Sequence, residues 1–260
     1  MAYEPRIRAV ALAALEDVSP EEHATLKAGG AADAGYWETP PAEDRPFYKR
    51  FKAEVKDYYR SEQGRRCCYC SFELADDHST FDAEHVLDKS THPQFMFDLN
   101  NLAAACRPCN RAKNAKPVVN DEVEVGTIPF QSDDYRIVHP HLDEWTHHLR
   151  FDELNRIRPI AGSFKGKNTI EICKIDVLLN AARLADGFSS GRRVAETHLR
   201  RFYEYKRISK KKEHLELLRA LATQRNLAGA LAIVQQLEQE VDEEEAVAAS
   251  LRQAQAAATA

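Results

Sequence analysis

Between residues 45 and 63 the apolar and aromatic positions Phe47, Phe51, Val55, Tyr58 and Tyr59 recur every three to four residues, the spacing of one face of an α-helix. Residues 5 to 28 also read as helical, with Ser19 and Pro20 followed by Glu21 and Glu22 as a cap and first turn. Between these helices, Gly29 and Gly30 through Pro40 and Pro41 mark a loop or linker. The period then changes. Phe81, Ala83, His85 and Leu87 alternate along residues 80–87 as one side of a strand, a loop covers 88–100, residues 102–106 return as a second strand, and 109–114 open a short helix.

Residues 118–160 hold short β-like pieces at 135–138 and 148–151, separated or bounded by Pro129, Pro140 and Pro159. From Thr169 the pattern is helical again, with Ile170, Ile175, Leu178 and Leu179 on one face and a further helix over 192–209. Leu215, Leu218 and Leu221, then Leu227, Leu231 and Val234, predict a helical pair broken near 226–229. The Ala-, Glu- and Gln-rich tail beyond Asp242 frays or extends as a lone helix. The expectation is an α+β chain in four parts: a helical region over 1–61 with a linker near 29–44, a motif block over 62–117, a mixed strand and loop region over 118–168, and a helical region over 169–260.

The 260 residues suffice for one sizeable core or two modest ones, and 43% hydrophobic with 30% charged residues is ordinary for a soluble globular chain. No apolar run approaches the roughly 20 residues of a membrane span. The first residues lack the basic-then-apolar order of a signal peptide. Paired thiols without a disulfide-like framework fit a reducing compartment, so the expected location is the cytoplasm. The net charge of -5 argues against a uniformly basic nucleic-acid binder. Mapped along the chain, however, residues 45–66 carry eight basic against three acidic residues, 107–116 four against none, and 192–212 nine against two. Clustered basic surface beside a site matters more for phosphate affinity than the total, although charge runs on helices also serve as solvated faces.

Cys67-x2-Cys70 and Cys106-x2-Cys109, with 35 residues between the pairs, have the spacing of a closed tetrahedral zinc site. Such a site is a staple without an open position for chemistry. Cys68 and Cys173 are left as buried thiols. Between and just beyond the pairs lie Glu84, His85, Asn101 and Asn110, an acid, an imidazole and two amides suited to a hard cation and a proton. The strand–strand–helix order brings His85 over Asn110, as metal-assisted phosphodiester hydrolysis requires. His139, His141, His147 and His148 with Asp143 and Glu144 match no helical zinc spacing and read as exposed histidines on a loop and strand. Tyr58, Tyr59, Phe202, Tyr203 and Tyr205 interleave with basic residues but fall at helical spacing, which favours core over base stacking.

The run from Glu84 and His85 to Asn101, Cys106, Cys109, Asn110 and Lys113 resembles the HNH endonuclease motif in its zinc-stapled form, a small ββα-metal, treble-clef-like finger. The first His of that family falls on His85, its central Asn on Asn101 and its third motif residue on Asn110, where Asn replaces the eponymous His. The preceding acid is Glu84. The likeness covers about residues 62 to 117, roughly a quarter of the chain. More loosely, residues 47–52, His92 with Pro93, residues 138–143 and 169–172 resemble HNH proteins of bacterial anti-phage systems, Septu-type and retron-associated, in which the nuclease accompanies an ATPase.

The resemblance implies hydrolysis of DNA with His85 as general base. Glu84 and Asn110 would hold a catalytic Mg²⁺ or Mn²⁺, and Asn101 would fix the loop that orients His85. Arg107, Arg111 and Lys113 would contact phosphates. The flanks are expected to bind an ATPase partner, self-associate or hold DNA. The alternative is a non-catalytic zinc-knuckle DNA-binding or adaptor protein, which leaves Glu84, His85 and Asn110 without a role.

Overall fold

In the computed structural model, which describes residues 4–258, the apolar stripe of residues 45–63 becomes the buried face of α2 (Arg45–Glu62), with Phe51, Val55 and Tyr59 fully enclosed. Helix α1 (Pro20–Ala32) precedes it, entered through a capping box in which Ser19 and Glu22 satisfy each other's backbone amides. Strand β1 (Phe81–His85) pairs antiparallel with β2 (Leu102–Cys106), in register from Phe81 opposite Cys106 to His85 opposite Leu102. Helix α3 (Arg107–Lys113) follows β2 directly. A hairpin of β3 (Leu149–Phe151) and β4 (Ile157–Pro159) and helix α4 (Phe164–Ile172) come next. Helices α5 (Ala181–Asp186), α6 (Arg192–Glu204), α7 (Ile208–Gln224) and α8 (Ala228–Ala258) complete an α+β chain with eight α-helices and two two-stranded sheets among the described residues. None of these helices is long and apolar enough to cross a membrane.

The chain divides into two compact units. One runs to Phe151 and resumes over Ile157–Ile175; the other comprises Asp152–Arg156 and the chain from Asp176. The second unit is a helical bundle whose core includes Leu184, Phe188, Leu199, Phe202, Leu218 and Val234. Phe202 therefore packs as core.

A two-stranded sheet is marginal alone, and here side chains close both of its edges. On the β2 side, Gln63 donates to the Ala104 carbonyl at 2.8 Å and accepts from the Ala104 amide at 2.9 Å, and the His141 Nε2 donates to the Leu102 carbonyl at 2.8 Å. On the β1 side, Lys56 donates to the Phe81 carbonyl at 2.6 Å and Lys113 to the His85 carbonyl at 2.8 Å. Backbone groups that would otherwise be buried and unpaired are thereby satisfied.

Several expectations are corrected. Residues 5–18 form no helix, because the buried Arg6 guanidinium binds that segment to the carbonyls of Cys68 (2.7 Å), His139 (3.0 Å) and Pro140 (3.2 Å). The helix expected over 192–209 breaks after Glu204 and restarts at Ile208. Residues 135–138 contribute one isolated bridge, Val119 to Tyr135, and no strand. The histidines at 139 and 141 are not exposed: His139 packs against Tyr135 with ring centroids 4.3 Å apart, and His141 supports β2. The tail continues as helix, leaving Val247 and Leu251 on its surface.

Candidate functional site

Cys67 and Cys70 lie in a turn that ends at Ser71, whose φ is +58°, while Cys106 closes β2 and Cys109 sits in the first turn of α3. The Cys68 amide donates to the Ala104 carbonyl at 3.0 Å, which ties the turn to β2. All four sulfurs are buried and lie within 4.8 Å of one another. Four thiols so placed fit a zinc ion, closed by protein on every side. Cys68 and Cys173 are buried free thiols.

Alternation along β1 decides which side chains meet α3. Asp82 and Glu84 share one face and reach residues one turn apart on α3: Asn110 Nδ2 donates to Asp82 at 2.8 Å, and Lys113 Nζ pairs with Glu84 at 2.8 Å. Glu84 also accepts from the Tyr69 hydroxyl at 3.1 Å, and its second oxygen is enclosed without a partner among the described residues. Burial raises the Glu84 pKa against the pull of Lys113.

His85 ends the strand. Its Nε2 lies 2.9 Å from the Met96 carbonyl, so Nε2 carries the hydrogen and donates it. Burial, reinforced by the positive charge of Lys89, lowers its pKa to about 3. The ring is therefore neutral at pH 7, with its lone pair on Nδ1, which has no partner among the described residues. Trp37 packs edge-on against it with centroids 4.4 Å apart. Asn101 holds both sides of the intervening loop: its Nδ2 donates to the carbonyls of Leu87 (2.9 Å) and Phe95 (3.1 Å), and its Oδ1 accepts from the Leu87 amide at 2.7 Å. The loop that presents Met96 to His85 is thus clamped by one amide side chain.

A cavity of about 360 Å³ opens beside His85, bordered also by Trp37, Lys52, Lys56, Asp82, Asn110 and Arg111. His85, Asn110, Arg111 and Lys113 share this cavity, whereas Asn101 sits behind it. Glu84 is not part of the lining, so the structure does not bring it to Asn110 as the expected shared ion requires; Asp82 occupies that position. Arg107 is exposed outside the lining, 3.8 Å from Asp82. Lys113 is only 2% exposed, and its ammonium is taken up by Glu84 and the His85 carbonyl, which leaves it a poor surface contact for phosphate. Sequence reasoning missed Asp82, Lys52 and Trp37. Asp82 was accessible through the two-residue period shared with Glu84, and Lys52 stood in a basic run, but nothing marked Trp37.

No protein-family model matches the chain. It is similar to the Septu protein PtuB of Bacillus thuringiensis, with 30% identity over 64 residues, which are 23% of this chain and 25% of that protein. The chain thus covers about a quarter of the length of the curated relative it matches.

Proposed function

We propose that the chain is a metal-dependent DNA endonuclease of the HNH kind, the nuclease of an anti-phage defence system acting with an ATPase partner. The observation that carries the nuclease reading is the state of His85. It is neutral, its Nε2 is committed to the Met96 carbonyl, and its Nδ1 is left unpaired in a ring bordering a cavity that also holds Asp82 and Asn110. A neutral imidazole with one nitrogen fixed and the other free has the tautomer and orientation that a general base needs. Asn101 acts through His85 by holding the loop that carries Met96.

The Asp82 carboxylate and the Asn110 amide oxygen are hard donors at the cavity wall and suit Mg²⁺ or Mn²⁺. The chemistry such an ion supplies is neutralisation of charge developing on the phosphate and the leaving oxygen. Asp82 replaces Glu84 in this assignment, and Glu84 instead positions Lys113 under the His85 carbonyl. Arg111, exposed on the cavity rim, is the phosphate contact best placed on α3. The defence role and the ATPase rest on the likeness to the Septu protein and the looser motifs around the finger.

Plasmid cleavage tests the proposal. Zinc-loaded wild type is expected to cut with Mg²⁺ or Mn²⁺ and not in EDTA, and folded His85→Ala to lose about 10²- to 10⁴-fold in rate. Intact plasmid from zinc-loaded wild type, both alone and with a co-encoded ATPase, would leave the zinc-knuckle binding module as the better reading.

A further inference from the structure

Five cationic side chains border the cavity: Lys52, Lys56, Lys89, Arg111 and Lys113. Three are already spent. Lys56 donates to the carbonyls of His78 (2.5 Å) and Phe81 (2.6 Å), Lys89 pairs with Glu38 at 2.8 Å, and Lys113 holds Glu84 and the His85 carbonyl. Arg111 is exposed and lies within the finger segment. Lys52 differs on both counts. It comes from α2, before the first cysteine pair, and it is half-buried.

Among the described residues, no carboxylate or carbonyl is bonded to the Lys52 ammonium. It sits over two aromatic rings instead, 5.3 Å from the Trp37 centroid and 5.2 Å from that of Tyr48. Aromatic faces offset part of the cost of removing an ammonium from water, but they leave its hydrogen-bond donors open. Trp37 is itself fixed by Tyr48, whose hydroxyl donates to the Trp37 carbonyl and whose ring meets it edge-on at 5.7 Å. The same Trp37 packs on His85. One indole therefore touches both the Lys52 ammonium and the His85 ring, and all three border one cavity.

We propose that Lys52 binds a non-bridging oxygen of the phosphodiester presented to His85, so that the phosphate site is shared between the finger and a helix outside it. The identity of the anion rests on the nuclease reading; the existence of an anion site at Lys52 does not.

Fluorescence anisotropy with a short fluorescein-labelled DNA duplex, in buffer without divalent cation, tests the proposal across a salt series. Lys52→Met is expected to weaken binding about tenfold and to lower the log–log salt slope by about 0.9, the loss of one phosphate contact. Lys52→Arg should keep the slope, as should Lys49→Met, which alters an exposed lysine of the same helix outside the cavity. Far-UV ellipticity and a melting curve establish that the Met variant is folded. Wild type that does not bind, or folded Lys52→Met with the wild-type affinity and slope, overturns the proposal. Cleavage of the same duplex with Mg²⁺ judges the nuclease reading separately. Lys52-dependent binding without cleavage, alone or beside the ATPase, removes the nuclease and keeps the phosphate site. Cleavage with Lys52-independent binding does the reverse.

Discussion

Two stretches of this chain carry similar excesses of basic residues, and they differ in which cations are left without a carboxylate. In the helical unit the cations of residues 192–212 meet carboxylates: Arg192 with Asp186 and Arg200 with Glu196 at 2.6 Å, Lys211 with Glu244 at 2.5 Å, and Lys212 with Glu245 at 2.7 Å. The acidic stretch of α8 neutralises the basic stretch of α7. Around the finger Arg50, Arg60, Arg65, Arg66 and Lys113 also meet carboxylates, but at the cavity Lys52 rests on aromatic rings and Arg111 has no acidic partner among the described residues. A basic run becomes a phosphate surface only where its charges lack internal partners, so a local charge sum cannot separate the two cases.

Removing a metal ion from the four thiols that are placed to hold one should break the comparison most severely, by unfolding one unit and sparing the other. Metal binding at four thiols contributes folding free energy on the order of 10 kcal/mol. Both tryptophans of the chain, Trp37 and Trp145, lie in the finger-containing unit, and Trp145 Nε1 donates to the Tyr69 carbonyl at 2.9 Å, within the first cysteine turn. Chelation, or Cys109→Ser, is expected to red-shift tryptophan emission while most of the 222 nm ellipticity, carried by α5 to α8, persists. Emission that stays unchanged after zinc is shown to be lost would mean the four thiols do not hold this unit.

Lys113→Met comes next in size. It leaves the Glu84 carboxylate, 1% exposed, with only the Tyr69 hydroxyl. Breaking one side of a buried pair costs about 3 to 5 kcal/mol. Replacing both partners, with Glu84→Gln added, should recover much of that loss, and urea denaturation followed by tryptophan emission measures both. A single variant as stable as wild type would show that this pair is no more than a surface bridge.

Much of this site was legible in the sequence, and the errors have physical causes. Cysteine spacing and the change of period at residue 80 foretold the strand, strand and helix. The two-residue alternation of β1 also implied that Glu84 and His85 face opposite ways, but matching motif positions placed Glu84 with Asn110 at the ion beside His85. Asp82, two residues earlier on the face of Glu84, is the acid that meets Asn110. Residues 5–18 have a helix-compatible pattern, yet the buried bonds of Arg6 hold them in another path. The roles of Lys52 and Trp37 depend on contacts across tens of residues, which no local pattern records.

Acidification should also destabilise the finger-containing unit. Burial lowers the pKa of His85 to about 3 and also pushes His139 well below the usual imidazole value. The unfolded imidazoles titrate near 6.5. Below that pH the unfolded state binds protons that the folded state refuses, so stability falls as pH drops, by up to about 1.4 kcal/mol per pH unit for each group, until the folded pKa is reached. Above about 6.5 these groups contribute no slope. Urea midpoints by tryptophan emission at pH 7 and 5 are expected to differ, and His139→Gln to reduce the difference. The acid limb of cleavage should likewise lie below 6.5, since His85 is still neutral there; a limb at 6.5 would mean that another group is the base.

The smallest effect is expected at the exposed ion pairs between α7 and α8. Arg219 forms a two-bond fork with Glu238, linking α7 to α8, but its side chain is 46% exposed and that of Glu238 is 32% exposed. Water and salt screen such a pair, and fixing two long side chains costs entropy that cancels most of the attraction. Arg219→Met should therefore leave the melting temperature of the helical unit nearly unchanged, and raising the salt concentration should do the same to wild type. If Arg219→Met destabilised the bundle as strongly as Lys113→Met destabilises the finger, the acid-paired face of α7 and α8 would be a structural seam. The contrast between matched surface charge and enclosed charge would then no longer separate the two units.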